Sequence, residues 1–75
     1  MKAVDLNTRI AERLSNLRKE KGLTLAEVAK ATGISESFLS KLERSVHQCT
    51  LANLACLAAF YGVKPSVFVE ERGDG

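Results

Sequence analysis

Apolar residues recur along this chain at helical intervals and nowhere alternate in the manner of a strand. Ile10, Leu14 and Leu17 fall at spacings of four and three. They predict a first helix over about Thr8 to Lys21, with Asn7 as its N-cap and Gly22 at its end. Leu25, Val28 and Ala29 predict a second helix from Leu25 to Thr32. Thr24 and Glu27 stand in the T-x-x-E spacing of a capping box. A third helix is predicted from Glu36 to Arg44 with Ser35 as cap; Leu39 and Leu42 face inward, while Glu36, Ser37, Ser40, Lys41 and Arg44 face outward. After the loop Ser45–Cys49, Thr50 caps a fourth helix whose stripe is Leu51, Leu54, Leu57 and Ala58, closed by Tyr61-Gly62. A short fifth helix starts near Pro65, a residue suited to a first helical turn, and carries Val67, Phe68 and Val69. The polar, Gly-rich end is expected to fray over about 71–75.

Only Gly33-Ile34-Ser35 separates the second and third helices. So short a break forces a steep crossing, and Gly33 is the residue able to take the left-handed conformation that ends the second helix. Two helices joined in this way over residues 24–44 make a helix-turn-helix, whose second helix typically enters the major groove of DNA.

Size and charge narrow the picture. Seventy-five residues, 45% of them hydrophobic and 27% charged, fit one domain spanning 1–75. No apolar run nears the roughly 18 residues of a membrane span, and M-K-A-V-D-L-N has no apolar leader core, so the expected compartment is the cytoplasm. Net charge is +2, unevenly placed: residues 1–34 hold seven Lys/Arg against four Asp/Glu, residues 35–75 four against five. Arg18, Lys19 and Lys21 cluster at the first helix's end, either as a phosphate footprint or as cations matched to the helix dipole. Cys49 and Cys56 form no C-x-x-C and are expected as small buried hydrophobes; a position at a helix start can lower the Cys49 pKa. With His47 they give no recognised zinc spacing, so no metal is expected. There is one histidine, no paired carboxylates in a credible pocket and no Gly-rich phosphate loop. Neither an enzyme nor a cofactor site is expected in so small a bundle.

The run L-R-K-E-K-G-L-T-L-A-E-V-A-K-A-T-G-I-S-E-S-F-L-S-K-L-E-R closely resembles the helix-turn-helix core of the XRE family, which contains the Cro and lambda repressor DNA-binding domains. The likeness continues through L-A-N-L-A-C-L-A-A-F-Y-G-V-K-P-S-V-F and covers about residues 8–70. It implies an all-α, compact five-helix lambda-repressor-like domain that binds palindromic double-stranded operator DNA as a homodimer. The third helix would read bases through Glu36, Ser37, Phe38, Ser40 and Lys41. Thr24, Arg44, Arg9 and His47 are candidates for the DNA backbone. Arg18 and Glu43 match a pair that often links the first helix to the third. The chain departs from the family's pattern at Leu25, where Gln is frequent, at Ser45, where Gly is usual, and at Cys49, where Pro is frequent.

The chemistry of these side chains suits base edges. Lys41 can donate to guanine O6 or N7, Glu36 can accept from cytosine N4, and the two serines can do either. Phe38, with Leu39 turned inward beside it, is expected at least half exposed and able to touch a thymine methyl. Tyr61, Val67, Phe68 and Val69 exceed what the fifth helix needs for its own core and are the expected dimer contacts. A transcriptional repressor of phage, plasmid, antitoxin or restriction–modification controller type is the leading reading. A helical module that binds a protein partner, such as a toxin, is the alternative.

Overall fold

The computed structural model describes residues 6–68. Four α-helices, α1 (Leu6–Glu20), α2 (Leu25–Thr32), α3 (Glu36–Glu43) and α4 (Leu51–Tyr61), are followed by a four-residue 3-10 helix, Pro65–Phe68. The architecture is all-α, and the described residues contain no strand. The short fifth helix expected near Pro65 is, over the described residues, a 3-10 turn rather than an α-helix. A pattern of apolar residues over so few positions fits either hydrogen-bonding scheme.

Local signals fix most boundaries. Thr24 and Glu27 form the full capping box of α2: the Glu27 N–H donates to Thr24 Oγ1 at 3.0 Å and the Thr24 N–H to Glu27 Oε1 at 2.8 Å. Gly33 ends α2 at φ 80°, the left-handed conformation that the short turn requires. Ser35 and Thr50 cap α3 and α4 by accepting from the N–H groups of Phe38 and Asn53. Asn7 is no cap. Helix α1 already includes it, and its side chain is turned across to the α3–α4 loop.

The helices close on one core made of Ile10, Leu14, Val28, Leu39, Leu42, Leu54, Leu57, Ala58, Tyr61 and Phe68. Helix α3 packs on α1 and α2, and the 3-10 helix lies against α1 and α4. Phe68 is fully buried and is among the largest side chains in the core. The guanidinium of Arg13 donates to the Val67 carbonyl, tying the last turn to α1. Leu51, expected within the apolar stripe of α4, is instead 84% exposed. The α4 sequence is apolar nearly all round, so its inward face cannot be located from periodicity.

Candidate nucleic-acid interface

Helix α3 is held by its buried edge, and its other edge is left to solvent. From α1, Arg18 reaches Glu43 near the end of α3 in a two-pronged pair, Nε to Oε2 at 2.8 Å and Nη2 to Oε1 at 2.9 Å. Its remaining nitrogen, Nη1, donates to the Leu23 carbonyl at 2.9 Å, so one side chain joins α1, α3 and the segment before α2. The two side chains are 16% and 10% exposed. The hydrogen bond to Glu43 raises the Arg18 pKa and outweighs the opposing effect of burial. Planar, bidentate pairs of this kind fix an angle as well as a distance. The sequence pointed to the Arg18–Glu43 pair; the third bond to Leu23 carried no sequence signal.

The expected base readers share the free side of α3 unequally. Glu36 and Ser37 are exposed, as is Arg44 just past the helix end, while Ser40 and Lys41 are half-buried. Phe38 is not at least half exposed. It is half-buried against the core, and its ring lies 5.5 Å from that of His47, tilted by 40°. His47 is exposed in the loop, and Arg9 on α1 is half-buried. Thr24 is committed to the capping box: its N–H and its hydroxyl both bond Glu27, whose carboxylate sits at the α2 N-terminus.

The α3–α4 loop folds back on α3. The N–H groups of Val46 and His47 both point to the Lys41 carbonyl, at 2.9 and 3.4 Å. Ser45 makes the turn at φ 63°. That is a left-handed conformation for a residue with a Cβ, at the position where the resemblance implied glycine. Asn7 bonds the loop at three points. Its Nδ2 donates to Ser45 Oγ at 3.2 Å and to the His47 carbonyl at 3.4 Å, and its Oδ1 accepts from the Cys49 N–H at 3.2 Å. Thr8 and Ser45 hydroxyls are 3.3 Å apart. No sequence pattern pointed to Asn7 in this role.

The remaining expectations need correction. Tyr61 and Phe68, expected at a dimer interface, are 4% and 0% exposed and belong to the core of a single chain. Val67 is half-buried, and Val69 lies outside the described residues, as does the tail 71–75. Cys56 is exposed rather than buried. Cys49 is half-buried, and burial pushes its thiol pKa up rather than down. Among the described residues no group of three His, Cys, Asp or Glu is placed to hold a metal ion, and no helix is long and apolar enough to cross a membrane.

What lies free on α4 is uniform in character. Leu51, Ala52, Ala55, Cys56 and Ala59 are exposed, and the helix carries no charged residue.

Residues 9–69 match the family model of a helix-turn-helix domain. The chain is 44% identical over 55 residues to the HTH-type transcriptional regulator DdrOP3 of Deinococcus deserti, a match covering 73% of this chain and 43% of that protein. It is 31% identical over 63 residues to the immunity repressor protein of Bacillus phage phi105, covering 84% of this chain and 44% of the repressor. It thus spans less than half the length of either relative. The crystal structure of SinR, master regulator for biofilm formation, in complex with DNA superposes with a TM-score of 0.76 at 31% identity, covering 81% of this chain and 98% of that one.

Proposed function

This chain belongs to the helix-turn-helix domain family, among the XRE (Cro and lambda repressor-like) proteins, and on that premise we propose that it is a sequence-specific, double-stranded-DNA-binding transcriptional regulator, a repressor acting in the cytoplasm as a homodimer. The observation that carries the reading is the mounting of α3. Arg18 holds the helix through Glu43, and α3 carries Glu36 and Ser37 exposed with Ser40 and Lys41 half-buried beside them. A helix so held can enter a major groove without changing its angle, and those four side chains would meet base edges. Arg44 and Arg9 would contact the sugar-phosphate backbone, whereas the His47 ring is engaged with Phe38. With Thr24 and Glu27 satisfied by each other, a phosphate at the start of α2 would meet the N–H groups of Leu25 and Ala26, which have no partner within the helix.

Two copies would read a palindrome with half-sites roughly 34 Å apart. Because Tyr61 and Phe68 are core residues, the second copy is assigned instead to the uncharged face of α4, at Leu51, Ala52, Ala55, Cys56 and Ala59. A two-fold contact pairs this patch with the same patch of the second copy, and a face without charge opposes no like charges. The same face favours the second reading, a module for a different protein partner. Binding rather than catalysis is the activity proposed.

Selection of duplexes from a randomised pool, with the winners titrated across salt, tests the reading. A palindromic motif whose affinity falls steeply with salt is the expected result, since each phosphate neutralised releases counterions. An absence of enrichment, with weak binding throughout, would sink it in favour of the protein-binding module.

A further inference from the structure

The DNA-facing role given to α3 leaves one contact unexplained. Phe38 is the aromatic side chain of the reading helix, and it does not stand alone: the imidazole of His47 lies on it, 5.5 Å between ring centres. His47 is itself fixed from two sides. Its N–H and that of Val46 both donate to the Lys41 carbonyl, and its own carbonyl accepts from Asn7 Nδ2. Asn7 also holds the residues on either side of the Val46–Gln48 tip, through Ser45 Oγ and the Cys49 N–H. A continuous chain of contacts therefore runs from α1 through the loop to the ring of Phe38, next to Ser37 and Lys41.

A half-buried aromatic ring has two ways to serve a reading helix. It can act as packing alone, or it can offer an edge to a thymine methyl, an apolar contact that distinguishes that base and requires the ring to reach it. An exposed histidine without a carboxylate partner among the described residues gains little by covering a ring for packing alone. Three bonds from a residue some forty positions away are a large commitment for the short stretch Ser45–Cys49. We propose that His47 is a specificity-determining residue that positions the Phe38 ring for base contact, and that Asn7 positions His47. This rests on the DNA-reading function proposed above.

Four proteins decide it: the natural chain, His47→Ala, His47→Phe and Asn7→Ala, each confirmed folded by its melting curve. In DNA-free protein, the Phe38 ring-proton resonances shift in His47→Ala and Asn7→Ala. In duplex selection, His47→Ala loses about tenfold of the preference at one base pair of each half-site, the scale of a single lost base contact. The other positions hold, and the salt slope changes by less than one phosphate's worth. His47→Phe keeps the ring contact and restores the preference, and Asn7→Ala lies between. A natural chain that selects a motif which His47→Ala reproduces unchanged overturns this proposal and leaves the DNA reading standing. A natural chain that selects nothing overturns both. Phe38 resonances unmoved by Asn7→Ala remove Asn7 from the mechanism.

Discussion

Ser45 sits at φ 63° while its hydroxyl serves Asn7 and Thr8. The residue carries two opposed effects: the left-handed backbone costs about 1–2 kcal/mol for a side chain with a Cβ, and the hydroxyl bonds offset part of it. Comparing two substitutions separates them, since both remove the hydroxyl. Ser45→Gly is expected to be more stable than Ser45→Ala by about 1 kcal/mol in chemical denaturation, and equal midpoints would show that the turn is unstrained. Lys41 presents the corresponding question for DNA. Lys41→Ala should cost roughly 1–3 kcal/mol on the best duplex and relax preference at one base position. An equal loss on every duplex would make it a phosphate contact.

Among the elements, α2 was the most legible in sequence because its ends are written locally: Thr24 and Glu27 at one end, Gly33 at the other, and the observed span is Leu25–Thr32 as expected. Helix α4 was the least legible. Its caps, Thr50 and Gly62, were clear, but Leu51 and Cys56 were assigned inward because a helix without charge gives no polar face to mark the outside. Phe38 is less exposed than expected because it packs against the core and meets His47, nine residues on in a loop whose path no periodicity encodes. What mounts α3 was readable through the likeness to known repressors, and the geometry makes it testable. Arg18→Ala leaves the Glu43 carboxylate, 10% exposed, without its partner and should destabilise the chain by about 3 kcal/mol. Arg18→Lys should recover little, because an ammonium cannot supply the two-pronged bond and the Leu23 contact together. Full recovery by lysine would show that charge alone matters.

For the whole molecule, the burial of Tyr61 gives stability a pH signature. Burial, with Glu43 nearby, pushes its phenol up to about 12 from 10.0. The folded state favours the neutral phenol, so the associated stability is complete below pH 10 and drains as pH rises towards 12, by up to about 1.4 kcal/mol per pH unit. Alkaline unfolding followed by circular dichroism should show this fall, and Tyr61→Phe should flatten it; an identical slope in both proteins would assign the fall elsewhere. The two thiols report on assembly. Cys56, exposed on α4, should react with a maleimide well before the half-buried Cys49. If two copies meet on α4, Cys56 labelling slows as protein concentration rises, and a rate independent of concentration would move the interface to another face. The 3-10 helix has a consequence for biosynthesis. Phe68 fills the centre of the core and Arg13 grips the Val67 carbonyl, so the first helix is completed by the last described residues. A nascent chain therefore lacks this core-filling side chain and its tie to α1 until that turn has left the ribosome. A stop codon just ahead of Phe68 would abolish the domain while sparing every residue assigned to DNA.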